Sequence, residues 1–424
     1  MRVSSAFFVL KGARVGIKHS KHFVSISALT AILFLVLGLS FVSVALAQGA
    51  RRNRLTELYN RCQALGQQGK YREAIPVAKE FLKLAEETFG PGHPNVAVGL
   101  NNLAFFYRAQ GQLAKAEQLF KRALAIDEKT LGPEHPAVAA TLDNLAGLYQ
   151  AQGKYDEAEP PFKRALAIRK KALGPEHPDV AITLGGLAGL YHVQGLYERA
   201  EPLYKRALAI REKSLGKNHP EVAEVLSGLA SLYAAQGLYT KAELLHKRAM
   251  RIQEKALGQD HPDVANTMHE LAIVYQGQGQ FAEAEPLYKG ALGIWEKALG
   301  LNHPQVATLL SNLAEMYRLQ GRYAEAEALH KKALAIREKV LGPDHPDVAY
   351  SLNNLASLYF NQGEYAKAEP LFKRSLAIDE KTLGPNHPRV ANTLENMARL
   401  YHTMGKEEEA EKLLDRARRI QENQ

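Results

Sequence analysis

The sequence has few of the residues that build catalytic or cross-linked centres. It contains one cysteine and one tryptophan among 424 residues, so no disulfide bond can form within the chain. It has no glycine-rich phosphate loop after a strand-like segment and no H-E-x-x-H zinc motif. No alternating strand pattern competes anywhere with the helical pattern described below. These absences argue against an enzyme and against a cofactor.

The sequence is instead dominated by a 42-residue block that returns almost unchanged. The dipeptide His-Pro marks the copies and begins at 93, 135, 177, 219, 261, 303, 345 and 387. A fixed period of about 20 to 50 residues is the signature of a solenoid of stacked units.

One copy, Gly132–Leu173, predicts two helices joined by a tight turn. Pro136 suits the first position of the first helix, where a backbone N–H would be unpaired in any case. Gly153 suits the left-handed residue that ends it. A second helix begins near Tyr155 and ends before Gly174, which a proline follows. The apolar stripe of the first helix has helical spacing and comprises Val138, Ala139, Leu142, Leu145, Ala146 and Tyr149.

This unit resembles the tetratricopeptide repeat, whose signature offsets are occupied by Leu145, Ala146, Tyr149, Gly153, Tyr155, Ala158, Phe162 and Ala165. The 42-residue length, with its G-P-x-H-P linker, is similar to the repeats of the kinesin light chain family. The resemblance covers 51–424 and implies an all-α, right-handed superhelical solenoid of about nine helix-turn-helix repeats. Because such arrays host many unrelated partners, it indicates a class of function and no particular partner.

The repeats predict one elongated domain with distinct ends. Residues 51–89 form a degenerate first repeat, and 90–424 hold eight regular ones. Cys62 stands where the regular repeats carry alanine, which predicts a buried packing residue rather than a nucleophile. The highly charged segment Lys406–Gln424 suits a polar terminal cap. In the regular repeats the alanine row should keep the two helices close, and it comprises Ala104, Ala146, Ala188, Ala230, Ala272, Ala314, Ala356 and Ala398.

Residues 1–47 have the pattern of an export signal. They contain five basic and no acidic residues, then an apolar run from Phe23 that ends in Val44-Ala45-Leu46-Ala47. We interpret this as a signal peptide cut after Ala47, so that the repeats are periplasmic or secreted. The alternative is an uncleaved anchor at 23–47, since about 20 apolar residues span a bilayer. A membrane partner is expected only in that case.

The net charge does not indicate a nucleic-acid partner. The chain carries 54 basic and 45 acidic residues, a net charge of +9, and five of the basic residues lie in the leader. Without the leader the balance is 49 to 45, or +4. No concentrated basic footprint for nucleic acid remains.

Two periodic polar features favour structural interpretations. The eight linker histidines belong to different units about 8–10 Å apart, too far to share a zinc ion, so we expect linker or N-cap residues and no metal. Lys-Arg pairs on the second helices, such as Lys163-Arg164, follow a glutamate by four residues. That spacing predicts a salt-bridged outer face, with an anionic partner surface as the alternative.

By resemblance, the concave groove is lined by the first helices, and the family's groove asparagine falls on Asn102, Asn144, Asn312, Asn354 and Asn396. An amide can pair with the backbone of an extended peptide without reading its sequence. The alternative is a local hydrogen bond within the helices. The row is interrupted by Gly186, Gly228 and Glu270, either for close approach of a ligand or by drift. Side chains that vary on the same face are candidate specificity residues, namely Phe105, Arg108, His192, Arg318, Tyr350 and Phe360.

We therefore expect a non-enzymatic scaffold that binds a peptide or partner segment in the concave groove, its partner unidentified. One alternative is a membrane-anchored assembly factor that acts through its outer faces and self-association. Another is a small-ligand receptor or enzyme that uses the glycine-rich centre. Trp295, near the end of a second helix, is expected to be exposed or to contact the linker.

Overall fold

The computed structural model describes residues 49–422, and the predicted leader at 1–47 lies outside them. Every regular element in this part of the chain is helical. The helices are α1 (49–67), α2 (Tyr71–Phe89), α3 (Pro94–Ala109), α4 (Leu113–Leu131), α5 (Pro136–Ala151), α6 (Tyr155–Leu173), α7 (Pro178–Val193), α8 (Tyr197–Leu215), α9 (Pro220–Ala235), α10 (Tyr239–Leu257), α11 (Pro262–Gly277), α12 (Phe281–Leu299), α13 (Pro304–Leu319), α14 (Tyr323–Leu341), α15 (Pro346–Asn361), α16 (Tyr365–Leu383), α17 (Pro388–Thr403) and α18 (Glu407–Glu422).

Each regular repeat begins with a histidine cap followed by proline at the first helical position. In α5, Nδ1 of His135 accepts a hydrogen bond of 3.1 Å from the amide of Ala137. All eight linker histidines make this bond to the residue two positions on. An N-cap acceptor satisfies one of the otherwise unpaired amides of the first turn, which explains why the His-Pro pair recurs with the period.

A glycine with positive φ follows each helix from α1 to α17. Gly153 has φ 71° between α5 and α6, and Gly174 has φ 89° after α6. The chain reverses tightly at Gly153, because the amide of Lys154 donates to the carbonyl of Tyr149 over 2.9 Å. A side chain at such a φ is strained, so both predicted helix ends are confirmed with their physical reason.

The core lies between the two helices of each repeat and between neighbouring repeats. The alanine row of the first helices is buried, and Ala314 has no exposed surface. Facing it are large side chains of the second helices, among them Phe120, Tyr288 and Phe372. Cys62 is also buried, and burial raises the pKa of its thiol to about 11. A thiol held neutral in this way is a packing residue, as expected.

Consecutive helices pack in chain order, and from α3 to α17 each first helix also contacts the next first helix, as α3 does α5 and α5 does α7. The inner side of a curved stack is the crowded side, so the first helices (the odd-numbered ones) form the concave face. The predicted all-α solenoid of about nine repeats is confirmed. The superhelix also returns onto itself, because α2 of the first repeat contacts α14 of the seventh.

Candidate functional site on the concave face

The five predicted groove asparagines lie half-buried on the first helices α3, α5, α13, α15 and α17. They divide into two groups by their hydrogen bonds. The amide nitrogen of Asn312 donates to Nε2 of His269 over 2.7 Å, and that of Asn396 donates to Oδ1 of Asn353 over 3.3 Å. Within 49–422 the side chains of Asn102, Asn144 and Asn354 make no hydrogen bond. These three therefore have amide donors and acceptors to offer a ligand.

His269 supplies the hydrogen-bond acceptor for Asn312. The ring is only 6 % exposed and lies edge-on to Trp295, with centroids 5.6 Å apart. Burial lowers its pKa to about 4, so the ring is neutral at pH 7 and Nε2 accepts from Asn312. For Asn312 the local alternative therefore describes the structure better than a free ladder position does.

Trp295 is buried and is not an exposed side chain. Its side chain is 2 % exposed, and Nε1–H donates to the carbonyl of Pro262 over 3.1 Å. Of the two expected outcomes, exposure is excluded, and the contact with Pro262 at the start of the first helix of the same repeat agrees with the linker alternative. Sister repeats place polar side chains at this buried position, and Arg169 pairs there with Asp143 and Thr183. Burial raises the pKa of Asp143 to about 6 despite the neighbouring guanidinium.

The glycines at the centre of the groove have a packing reason. A Cβ atom on Gly186 would lie 2.6 Å from the ring of Phe162, and one on Gly228 would lie 2.8 Å from the ring of Tyr204. Both rings belong to the second helix of the preceding repeat. At Gly185, by contrast, a Cβ would meet nothing within 4 Å. Gly186 and Gly228 therefore serve the core, and Gly185 leaves the groove surface open.

Aromatic and cationic side chains meet at the N-terminal end of the groove. Phe105 packs edge-on against Tyr71 at 6.4 Å, and the guanidinium of Arg108 lies 5.7 Å from the Phe105 ring. Gly147 on the next first helix leaves room for Arg108, since a Cβ there would be 3.0 Å from Nη1. Burial lowers the pKa of Arg108, and no carboxylate in the described chain pairs with it. Gly147 was the overlooked signal for this arrangement.

The other candidate residues are mostly engaged within the chain. Arg318 forms two hydrogen bonds with Glu315, at 2.7 and 2.6 Å. Phe360 is half-buried against the core, with its ring 5.8 Å from that of Tyr365. His192 is half-buried beside Tyr197, and burial lowers its pKa. Tyr350 is the most exposed of these candidates, at 44 %, and the guanidinium of Arg337 lies 5.6 Å from its ring centroid.

The outer face carries the ion pairs that the spacing of its charges predicts. Lys163 pairs with Glu159 four residues earlier at 2.7 Å, and Arg164 pairs with Glu128 of the preceding repeat at 2.6 Å. Tyrosines of the following repeat add a hydrogen bond to the same glutamates, as Tyr359 does to Glu327 over 2.9 Å. The basic ladder is thus largely neutralised, which agrees with the salt-bridged interpretation.

Among residues 49–422, no group of three or more histidine, cysteine, aspartate and glutamate side chains has the geometry to hold a metal ion. In the same range, no helix combines the length and the apolar character needed to cross a membrane.

The fold and its repeating first-helix face define a helical-repeat solenoid with a concave groove. The tetratricopeptide repeat profiles match successive segments that together run from 59 to 423. The chain belongs to the tetratricopeptide repeat family. This membership supports a protein–protein interaction scaffold.

Solved structures place the chain among similar arrays. The nearly identical TPR-like repeats of a kinesin light chain protein from Podosopora anserina are 34 % identical, with a TM-score of 0.41 over 48 % of this chain and 97 % of that one. BtubC (BKLC) from P. vanneervenii is 25 % identical, with a TM-score of 0.43 over 55 % and 91 %. A Rap protein complexed with competence and sporulation factor is 14 % identical, with a TM-score of 0.57 over 89 % and 98 %, and it supports the fold alone. No curated protein matches the chain.

Proposed function

We propose that this protein is a non-enzymatic scaffold that holds an extended segment of a partner protein in the concave groove of its first helices. The observation that carries the proposal is the unbonded state of Asn102, Asn144 and Asn354 in the described chain. Each is half-buried on the concave side, where an amide can donate to one peptide carbonyl and accept from one peptide N–H. Such pairing provides affinity while leaving sequence preference to neighbouring side chains.

The residues at the N-terminal end of the groove favour one kind of bound segment. The guanidinium of Arg108 has no carboxylate partner within 49–422, and the aromatic ring of Phe105 lies beside it. A half-buried cation is stabilised when an anion reaches it, and the planar guanidinium of arginine can bind a carboxylate in a bidentate manner. We therefore propose that the bound segment carries an acidic residue or its terminal carboxylate at this end.

The leader adds a compartment to the proposal. Its basic start, apolar run and small residues before Ala47 motivate the hypothesis that the repeats act beyond the inner membrane, either released or anchored by 23–47. Sequencing the N-terminus of the protein recovered from the exported fraction tests this, since cleavage predicts a chain that begins at Gln48. A chain that retains Met1 would favour the anchored alternative.

The experiment for the groove is capture of partners from the exported fraction. The bait is the chain lacking the leader, and it is compared with a variant that carries Asn102→Ala, Asn144→Ala and Asn354→Ala. A matched control removes three exposed asparagines away from the groove, Asn53→Ala, Asn218→Ala and Asn302→Ala. Partners lost only with the groove variant would support the proposal. Partners kept by both variants would contradict it and would favour binding through the outer faces.

A further inference from the structure

Three contacts join the beginning of the superhelix to its end, and they repeat at one spacing. Nε2 of His345 lies 3.2 Å from the carbonyl oxygen of Ala109, 236 residues earlier. His303 lies against the equivalent turn at Gly69 and His387 against that at Gly153, and the carbonyls of Gln67 and Ala151 act on the two rings in the direction that raises the histidine pKa. Each pairs a linker of repeats 7 to 9 with the turn that follows the first helix of repeats 1 to 3.

The glycines of these turns lie so close to the later linkers that a side chain there would clash. A Cβ on Gly69 would lie 2.9 Å from His303, and one on Gly111 would lie 2.7 Å from Pro346. One on Gly153 would lie 3.0 Å from His387. The equivalent glycines of the next repeats, such as Gly195 and Gly237, would meet nothing within 4 Å. The turn is thus covered where a later repeat stacks over it and open in the repeats that follow.

We propose that these three contacts form a latch, which holds one turn of the superhelix against the next and must open to admit a partner segment into the groove from the side. The latch comprises His303, His345 and His387 with the carbonyls of Gln67, Ala109 and Ala151. Only the role assigned to the latch, admission of a partner segment, rests on the proposed groove function. The closure itself is a property of the chain alone.

The chemistry of the latch makes it sensitive to acid. In each latch histidine Nδ1 accepts from the amide two residues on, so the proton lies on Nε2, which donates across the turn. Both ring nitrogens are used, and a protonated ring has no acceptor left for the cap. Burial lowers the pKa of His303 and His387 to about 4 and also lowers that of His345.

The sign of the pH dependence follows from these shifts. A histidine whose pKa is lowered below its ordinary value of about 6.5 stabilises the closed form above that pH. The stabilisation is lost as the pH falls from about 6.5 toward 4. At pH 5, each histidine with a closed-state pKa of about 4 favours opening by about 30-fold relative to pH 7.5.

The charges around the latch differ among its three members. His345 is faced by Asp347, Arg337 and Arg389 from its own and neighbouring helices. From the opposite turn, Tyr71 interacts with Asp347, and Arg72 contacts Gly342. For His387 the charged groups are Arg389 and, across the gap, Lys154, Asp156 and Glu157. For His303 the pKa responds only to burial and to the Gln67 carbonyl, so His303 is expected to titrate with the fewest opposing carboxylates.

A distance across the latch tests the proposal without any partner. Spin labels are placed at Ala114→Cys and Pro343→Cys in the full chain with Cys62→Ala, since both sites are exposed, uncharged and close in sequence to the Gly111 contact. At pH 7.5 we expect one short, narrow distance. At pH 5, with helical content unchanged by circular dichroism, we expect a longer and broader distribution. A short, narrow distance at both pH values would overturn the proposal.

Variants separate the latch from the general effect of histidine caps. The latch variant carries His303→Asn, His345→Asn and His387→Asn, because asparagine keeps the N-cap but cannot reach the opposite carbonyl. The control carries the same change at His135, His177 and His219. We expect a long distance at pH 7.5 in the latch variant and a short one in the control. A short distance in both would overturn the latch. The groove function is tested separately, by partner binding to the variant with Asn102, Asn144 and Asn354 replaced by alanine.

Discussion

The amide of Asn312 lies 2.7 Å from Nε2 of His269, on the first helix of the preceding repeat. This bond removes Asn312 from the set of free groove amides and ties two repeats together. We predict that Asn312→Ala lowers the free energy of unfolding by about 1–3 kcal/mol, because it leaves a buried ring nitrogen unpaired. Partner affinity should change little. Chemical denaturation and a binding titration measure the two effects.

Asn354→Ala is the matched comparison for Asn312→Ala. Its side chain has no hydrogen bond in the described chain, so stability should change by less than about 0.5 kcal/mol. Its loss should instead weaken partner binding by about 0.5–1.5 kcal/mol, the usual net contribution of one hydrogen bond. If Asn312→Ala weakened binding and Asn354→Ala weakened stability, the assignment of the two groups would be reversed.

Arg108→Gln should reduce affinity for a partner segment that bears an acidic group. The expected loss is about 1.5–3 kcal/mol, because a hydrogen bond to a charged group is lost. The wild-type affinity should also fall with salt more steeply than that of the variant, since screening acts on the ion pair. Titrations at two salt concentrations measure both effects. Equal affinity and equal salt slopes would exclude Arg108 as an anion-binding residue.

Ala314→Leu tests the packing of the repeat. Ala314 has no exposed surface, so the larger side chain should separate the helices and lower stability by about 1–3 kcal/mol. Ala282→Leu, at an exposed position on α12, is the control and should be nearly neutral. Thermal melting of both variants supplies the comparison. A neutral effect at Ala314 would show that the alanine row is not a close-packed contact.

Two buried histidines of the second helices should make the array sensitive to acid independently of the latch. Within the described residues 49–422, neither ring nitrogen of His246 or of His330 has a hydrogen-bond partner, and burial lowers both pKa values to about 4. The neutral form is therefore favoured above about pH 6.5, and stability falls as the pH approaches 4. Phenylalanine occupies the sister positions 120 and 162.

We predict that His246→Phe with His330→Phe raises stability, and raises it more at pH 5 than at pH 7.5. Unfolding by denaturant at the two pH values measures the difference. His219→Asn, which keeps a cap in a linker that no later repeat covers, is a control for loss of a histidine. An equal gain at both pH values would mean that the two rings are not the source of the acid sensitivity.

Much of the fold could be predicted because local chemistry repeats with the period. His135, Pro136 and Gly153 fix the start and end of a helix through bonds within a few residues, and the structure places both where the sequence indicates. The glycines at 186 and 228 were harder, since their reason is the position of Phe162 and Tyr204 on another helix. For Trp295 the sequence left exposure or a linker contact open because the sister positions are polar, and the structure shows that the side chain is buried against the linker end of its own repeat.

The latch could not be predicted at all from the repeat unit. His345 and Ala109 meet only because small rotations between successive repeats add up over nearly six units. A slightly different rotation at each junction would leave the same helices and caps in place and move the two ends apart. The sequence of one unit therefore predicts the local pairing, and the superhelical return depends on the sum of the junctions.

The most direct test of the central claim is the affinity of a captured partner for three proteins. These are the wild-type array, the variant with Asn102, Asn144 and Asn354 replaced by alanine, and the control with Asn53, Asn218 and Asn302 replaced. The account predicts that the groove variant binds at least about tenfold more weakly, equal to 1.4 kcal/mol, while the control matches the wild type and all three melt alike. Equal affinity for all three would contradict a groove that binds through its free asparagines.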